Sequence, residues 1–336
     1  MTADAVTGDW AHYWRAADEP IEAMHAHFER HVYHRHSHEA YSLGVTDVGA
    51  QSFTCRGAAY TSAAGMVMAF NPDDPHDGQA TDGFGFTYRM IHIGPELVSA
   101  VLADAAGRPV GLPLFAEPVL SDPVLAARLR RLHVALLGRA TALRRDELLG
   151  GVVLAAARLS RGPSARTPSR PAQLPAGAGS ARAGSGRPGA AAEGPADTRR
   201  VAGRARDLIA GRYRDDLTAG DLAAVTGRSR FAVHRAFTHV YGMPPSDYQR
   251  QLRLREARAL IAAGTPISEA AALAGFADQS HLSRWFVRYY GVTPGRYQRA
   301  TAPPTRRGLS DRRWVRVSRI AAREYVRRAA RTSSAR

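Results

Sequence analysis

The chain has 336 residues, 45% of them hydrophobic, which is enough for two ordinary domains with substantial cores. Its formal net charge is +16, and the positive charge is concentrated after residue 199, which indicates a polyanionic partner. Cys55 is the only cysteine, which excludes an internal disulfide and a thiolate zinc site and fits a reducing compartment. With no signal-peptide pattern and no run of about 18 apolar residues, we expect a cytoplasmic protein without membrane association.

The first 120 residues have the pattern of a β-rich domain. Between residues 40 and 93, short apolar runs alternate with turn residues, and Phe84, Phe86, Tyr88 and Met90 recur at every second position. This period of two predicts a strand that presents its large side chains on one face. Several such strands at close spacing favour a small barrel or jelly roll.

Histidines are concentrated in the same region. His36 and His38 point to one face of a predicted strand, and His76 could approach them across a barrel. Such a trio could in principle ligate a metal ion, but a metal-free ligand pocket or a structural role is the favoured interpretation. We therefore predict no metal, no cofactor and no catalytic residue, and place His36, His38, Tyr88 and Met90 in an effector-binding pocket.

Two helices and a linker are predicted next. Asp122 and Pro123 are typical of a helix start, and leucines at helical spacing follow. A second helical pattern runs from residue 143 to 159. The pair packs on the barrel or against its copy in another subunit, and we expect a homodimer. Residues 161–198 are rich in Ala, Gly, Pro, Ser and Arg, which predicts a flexible linker.

The C-terminal region contains a repeat. Ala223 and Gly227 recur as Ala271 and Gly275, with three residues between each alanine and glycine. Five further residues recur at a constant offset of 49: Phe237, Gly242, Pro245, Tyr248 and Arg250 correspond to Phe286, Gly291, Pro294, Tyr297 and Arg299. The pattern predicts two helix-turn-helix motifs. A helix of about 17 residues, about 25 Å long, joins them.

Polar side chains at the predicted helix starts indicate caps. Thr218 with Asp221, and Ser246 with Gln249, have the spacing of capping boxes. Ser229 and Asp278 are predicted N-caps of the two recognition helices. Thr265 is predicted as a further N-cap, followed by Pro266 at the first helical position.

The C-terminal stretch resembles the DNA-binding domain of the AraC/XylS family. The resemblance depends on Leu222-Ala223-Ala224, Arg235-x-Phe237, Gly242-x-Pro244-Pro245-x-x-Tyr248, Gly275-Phe276-x-Asp278-Gln279-Ser280-x-Leu282-x-Arg284-x-Phe286 and Gly291-Val292-Thr293-Pro294. The N-terminal half is more weakly similar to the cupin-like sensor domain of that family. His36-x-His38 resembles the first cupin motif, and the stretch from Gly65 through Pro72 to His76 resembles the second.

The resemblance implies an α+β multidomain protein. Residues 15–160 would form a cupin-like effector-binding and dimerisation domain, 161–198 the linker, and 199–300 an all-α domain with two helix-turn-helix motifs. Residues 301–336 would be a basic tail, about which the resemblance implies nothing. Phe237, Leu282 and Phe286 are expected in the core.

By position in the motifs, a set of polar and aromatic residues is expected to face DNA. These are Ser229, Arg230, Phe231, His234 and Arg235 in the first motif, and Asp278, Gln279, Ser280, His281 and Arg284 in the second. Arginine can pair with guanine and glutamine with adenine. A phosphate contact or plain solvent exposure is the alternative for each of them.

The implied function is a sequence-specific transcriptional regulator, not an enzyme. It would bind promoter DNA and a small-molecule effector, and as an activator it would recruit RNA polymerase. Two alternatives stay open: a cupin metalloenzyme fused to a DNA-binding domain, and an architectural DNA binder with a vestigial sensor.

Overall fold

The computed structural model describes residues 8–16, 19–138, 140–160 and 194–301. The N-terminal half contains the strands and three helices, and the C-terminal part is helical. Most of the predicted linker and the basic tail after residue 301 lie outside the described residues. The first C-terminal helix begins at Pro195, within the stretch that the sequence analysis gave to the linker.

The strands form one sheet with a long central strand. They are β1 (Trp10–Arg15), β2 (Ile21–Phe28), β3 (Tyr33–His36), β4 (Tyr41–Cys55), β5 (Ala58–Ala63), β6 (Val67–Phe70), β7 (His76–Ala80), β8 (Phe86–Ile93) and β9 (Val119–Leu120). The main path is β1-β2-β8-β4-β6-β9, and over the described residues it does not close into a ring. The first half of β4 pairs with β6 and β8, and its second half pairs with β5 and β7.

The two faces of the sheet belong to different cores. Phe86, Tyr88 and Met90 point to one face, as the alternating pattern predicted. Ile91 and Ile93 point to the other face. There the sheet packs against α1 (Pro95–Ala106), α2 (Pro123–Leu137) and α3 (Ala142–Leu159). Helices of the same half of the chain therefore cover one face of the sheet. They do not cover the other face, which carries Phe86, Tyr88 and Met90 and which we call the free face.

The C-terminal helices repeat in structure as they do in sequence. They are α4 (Pro195–Arg212), α5 (Ala219–Thr226), α6 (Arg230–Tyr241), α7 (Pro245–Ala262), α8 (Ile267–Leu273), α9 (Gln279–Tyr290) and α10 (Pro294–Thr301). Helices α6 and α9 both have 12 residues. Phe237 lies 5.5 Å from Tyr248 between ring centroids, and Phe286 lies 5.6 Å from Tyr297. The helices α5, α6 and the start of α7 thus correspond to α8, α9 and α10.

Most of the predicted caps are present. Asp122, Ser229 and Asp278 each accept a hydrogen bond from a backbone N–H of the first helical turn. Thr218 and Asp221 form the reciprocal capping box at the start of α5. These local signals could be identified in the sequence because a cap involves neighbours within three residues.

Two predicted caps were wrong, and proline is the reason in both cases. Pro244 is the N-cap of α7, which begins before Ser246. Pro266 is the N-cap of α8 and not its first residue, so Thr265 lies outside the cap. Proline fixes φ and lacks an N–H, so it suits a helix start, where that donor has no intrahelical acceptor. Gln249 instead donates hydrogen bonds to backbone carbonyls before α5.

The two repeated helical units pack differently. The first has a core of its own, built from α4, α5 and α6 around the fully buried Phe237. The core of the second unit, around Leu282 and Phe286, is continuous with the free face of the sheet. The second unit is therefore the partner that covers this face.

Candidate functional site

A pocket lies between the free face of the sheet and the second helical unit. The sheet side contributes Tyr13, Met24, Tyr33, His36, His38, Gln51, Phe53, Met68, Phe70, His76, Asp77, Gly78, Tyr88, Met90 and His92. The helical side contributes Arg258 from α7 and Tyr289 and Tyr290 from α9. All four residues predicted from the sequence for an effector pocket, His36, His38, Tyr88 and Met90, line it together.

Four histidines make up the most polar part of the lining. The Nε2 atoms of His36 and His38 are 3.1 Å apart, and the rings of His38 and His92 are 4.4 Å apart between centroids. Burial lowers the pKa of His76 and of His92 to about 4, and it holds the pKa values of His36 and His38 well below their ordinary value. All four imidazoles are therefore neutral at pH 7.

Tyrosine hydroxyls complete the polar lining. Tyr33 and Tyr88 share a hydrogen bond of 2.8 Å between their hydroxyl oxygens. The Tyr13 hydroxyl donates to the backbone carbonyl of Tyr290 at 2.7 Å, which links β1 directly to the end of α9. Burial raises the pKa values of all three sheet tyrosines, so each of them stays protonated. The pocket thus offers neutral donors and acceptors within an aromatic wall.

A charged pair lies beside these neutral groups. Arg258 Nη1 is 3.5 Å from Glu22 Oε2, and its guanidinium lies 5.1 Å from the centre of the Tyr290 ring. Burial alone would raise the pKa of Glu22, but Arg258, His92 and Arg15 outweigh it and leave that pKa below its ordinary value. Burial likewise opposes the charge of Arg258, but Glu22 outweighs it and raises the pKa of the guanidinium. Both groups are ionised, one from each half of the chain.

One side of α7 carries polar residues that contact the sheet domain. We call Asp247, Gln251, Arg255 and Arg258 the docking face of α7. Their spacing of four, four and three residues puts them on one side of a helix. Gln251 is buried and bonds both the backbone N–H and the hydroxyl of Ser37, each at 2.9 Å.

Arg255 and Asp247, on either side of Gln251, make further contacts with the sheet domain. Arg255 makes ion pairs with Asp73 at 2.9 Å and with Glu39 at 3.0 Å. His34 lies 3.4 Å from Asp247, and its ring is 5.4 Å from that of Tyr289. The docking face and the end of α9 therefore hold the second helical unit against the pocket.

The helical lining was missed by the sequence reasoning. Arg258, Tyr289 and Tyr290 are separated in the sequence by over 160 residues from the strands that they face. A signal was present, because the residues of the docking face recur at helical spacing. A polar stripe at that spacing is usually a solvated helix face, so the sequence alone does not indicate a partner.

A second surface lies at the N-terminal ends of α6 and α9. Among the residues predicted to face DNA, all of those in the first motif are exposed, and so are Asp278, Gln279, Ser280 and Arg284 in the second. His281 is half-buried. The Phe231 ring is 71% exposed and lies 5.3 Å from the guanidinium of Arg235. This surface therefore combines exposed arginine, polar and aromatic side chains.

Three hydrophobic residues of the same helices are in the core, as predicted. Phe237, Leu282 and Phe286 are fully buried. Trp285, whose place the sequence left open, is half-buried. The Arg250 guanidinium lies 3.7 Å from the centre of its ring, and that of Arg288 lies 4.9 Å away. Cations over its faces hold this indole in place beside the domain contact.

Across the ranges that the structure describes, no helix combines the length and apolar character needed to cross a bilayer.

Both halves of the chain match protein-family models. Residues 20–153 match the AraC-like ligand binding domain, and residues 222–300 match a helix-turn-helix domain. The two matches together span more than half of the chain. The pocket residues from β2, β3, β4 and β8 lie in the first match, and the docking face, α6 and α9 lie in the second.

The chain is also similar to individual known proteins. The uncharacterized HTH-type transcriptional regulator YbfI of Bacillus subtilis (strain 168) is 27% identical over 247 residues, 74% of this chain and 80% of that protein. The transcriptional activator NphR of Rhodococcus sp is 35% identical over 88 residues, 26% of each chain. Among solved structures, ToxT from Vibrio cholerae O395 aligns with a TM-score of 0.46 and 10% identity, covering 88% of this chain and 99% of that one. The chain belongs to the AraC family of transcriptional regulators.

Proposed function

We propose that this regulator binds promoter DNA in the cytoplasm through the exposed starts of α6 and α9, and senses a small molecule in the pocket. The pairs α5–α6 and α8–α9 serve as the two helix-turn-helix motifs, and the strand-rich half serves as a cupin-like sensor. One observation carries the proposal. Helix α9 has Gln279, Ser280 and Arg284 exposed near its first turn, while Tyr289 and Tyr290 at its end line the pocket.

The DNA-facing residues can supply contacts to bases and contacts to phosphates, both of which sequence-specific binding needs. Arg235 and Arg284 can pair bidentately with guanine, and Gln279 can pair with adenine, in the major groove. Arg230 and His234 are available for phosphate or base contacts, and the exposed ring of Phe231 suits a thymine methyl group. The N-terminus of α6, capped by the neutral Ser229, also favours phosphate, whereas the Asp278 carboxylate occupies the equivalent position at α9.

Helix α7 has a suitable length to separate the two recognition helices, α6 and α9. Helix α7 has 18 residues, which corresponds to about 27 Å at 1.5 Å per residue. Two recognition helices set about one turn of DNA apart, about 34 Å, can enter successive major grooves on one side of the duplex. A single chain can then read two short sequence elements.

The pocket supplies the regulation. A ligand bound there contacts the sheet and also Arg258, Tyr289 and Tyr290, so it binds the docked arrangement of the two halves more tightly than an undocked one. A ligand shifts an equilibrium only by its differential affinity for the two states. The effector therefore alters the position of α9 through docking, and with it the affinity for DNA.

The partners follow from the family and from the surface. We propose an activator that recruits RNA polymerase and acts as a homodimer, with no enzymatic activity of its own. The predicted leucine stripe of α2 is buried within the chain. Val124 and Val134, on the other side of the helix, are 61% and 58% exposed. These exposed valines, with Leu143 of α3, are the apolar surface available to a second copy.

Replacing Arg284 by alanine tests the DNA-binding surface. A binding site is first selected from random duplex DNA with the full-length protein, and affinities are then measured by titration at fixed salt. We expect Arg284→Ala to weaken specific binding by about 1–3 kcal/mol and to relax one base position. The reason is loss of a bidentate contact to one base, which carries sequence information.

The control for this test is Arg158→Ala. It removes the same charge from an exposed position at the end of α3 in the sensor half, and should leave the selected sequence unchanged. An Arg284→Ala protein with wild-type affinity and sequence preference would exclude Arg284 from the interface.

A further inference from the structure

The three histidines His36, His38 and His76 have the arrangement of a metal site. One ring nitrogen of each lies within 4.8 Å of those of the other two. The 3.1 Å between the Nε2 atoms of His36 and His38 is close to the roughly 3.3 Å that separates two nitrogens on a tetrahedral zinc with 2.0–2.1 Å bonds.

Backbone carbonyls fix which nitrogen is free in two of the three rings, those of His36 and His76. His36 Nδ1 lies 2.7 Å from the His34 carbonyl oxygen, and His76 Nδ1 lies 2.9 Å from the Asp74 carbonyl oxygen. A carbonyl oxygen can only accept, so both Nδ1 atoms carry the proton. In a neutral ring Nε2 then has its lone pair available. A hydrogen bond from the other ring nitrogen to a carbonyl oxygen is what orients metal-binding histidines.

Packing holds the rings in place before any ion arrives. The His76 ring is stacked on Phe70 with 4.0 Å between centroids and 6° between planes. His36 is buried at the end of β3, and its backbone partner is His76, opposite it on β7. Neutral imidazoles are the form that metals bind. A preorganised trio of this kind loses little side-chain entropy on binding.

We propose that His36, His38 and His76 bind one divalent transition-metal ion, for which zinc is well suited, and leave a coordination position open to the pocket. Three protein ligands with an open fourth position are characteristic of sites where a metal binds a further molecule. Glu39, which follows His38, does not supply a fourth protein ligand, because its carboxylate is exposed and pairs with Arg255. That the open position takes up the effector rests on the proposed function, whereas metal binding itself does not.

The test uses full-length protein without a histidine tag, stripped with a chelator and then dialysed against dilute Zn²⁺. Elemental analysis should find one zinc per chain. In a parallel titration Co²⁺ should produce the intense visible bands of a tetrahedral site. The variant His38→Gln is the main probe, because His38 is half-buried and its replacement is less disruptive than that of buried His36. His76→Gln is the second probe.

Each variant should lose more Zn²⁺ affinity than the roughly 10–100-fold that is typically lost when a hydrogen-bond partner of a metal ligand is removed. The control is His27→Gln. His27 is on β2 of the same domain, and its ring contacts Thr87 and Glu29, away from the pocket. It should bind one equivalent as the wild type does. Circular dichroism identifies which variants are folded.

Two results would overturn the inference: wild-type protein that retains no stoichiometric metal, or a folded His38→Gln protein that binds Zn²⁺ as tightly as the wild type. The same preparations are tested for selection of specific DNA. Protein that selects DNA but binds no metal would contradict only the metal site. Protein that binds metal but selects no sequence would contradict only the proposed function.

Discussion

At the scale of the residue, His133 shows a titratable side chain fixed in its neutral form. It is fully buried on α2, where Nε2 lies 2.9 Å from the Met24 carbonyl oxygen and Nδ1 lies 3.1 Å from Arg89 Nη1. Both nitrogens are thus engaged, with Nε2 donating and Nδ1 accepting. Burial first, and then the charge of Arg89, lower the pKa of His133 to about 3.

This pKa has a consequence for stability against acid. Below about pH 6.5 the unfolded chain takes up a proton at His133 that the native protein refuses until about pH 3. The unfolding free energy therefore falls with decreasing pH in that window, by up to about 1.4 kcal/mol per pH unit for one such group. His25, with a pKa lowered to about 3 by burial, adds to the same effect.

We expect His133→Gln to be less stable at pH 7 but to lose less stability between pH 6.5 and 4.5 than the wild type. The slope of the unfolding free energy against pH should fall by the contribution of one proton, about 1.4 kcal/mol per pH unit. Urea unfolding at several pH values measures it, with His239→Gln at an exposed position of α6 as the control. Parallel pH curves for His133→Gln and the wild type would contradict the assignment.

At the scale of the element, two helices of the C-terminal region end at glycines that have the same backbone conformation but different surroundings. Gly227 ends α5 with φ of 67°, and Gly291 ends α9 with φ of 69°. A Cβ at Gly227 would meet no atom within 4 Å, whereas one at Gly291 would lie 2.7 Å from Phe28 and 2.9 Å from the Tyr33 hydroxyl. The two glycines share a backbone conformation, but only Gly291 touches the sheet domain.

This pair allows a matched experiment. Alanine at either glycine costs about 1–2 kcal/mol from the left-handed conformation. Gly291→Ala should cost about a further 1–3 kcal/mol, because overpacking against Phe28 and Tyr33 strains the domain contact. Urea unfolding of both variants gives the difference. Equal losses for the two would show that the end of α9 does not pack against the sheet as described.

The elements also show how far the sequence could be interpreted. The alternation of Phe86, Tyr88 and Met90 predicted β8 and its pocket side, because a strand's period of two is local. The cap of Asp278 predicted the start of α9 for the same reason. The prolines at 244 and 266 moved two helix starts, because their fixed φ outweighed a side-chain cap nearby.

At the scale of the whole molecule, the pocket is completed only by contact between the two halves of the chain. The sequence predicted four residues of the sheet side, His36, His38, Tyr88 and Met90, although His38 follows β3 and does not lie within it. It did not predict Arg258 or Tyr289. Their partners lie in the other half of the chain, and no local pattern indicates which helix face meets which strand. Docking, and not either domain alone, therefore joins the proposed sensing to the proposed DNA binding.

The most direct test of the central claim is to recover and sequence genomic DNA fragments bound by the purified full-length protein. We predict a small set of strong sites that share two short elements about one helical turn, 10–10.5 base pairs, apart. Many weak sites without a common sequence would contradict a sequence-specific regulator and would indicate an architectural DNA binder.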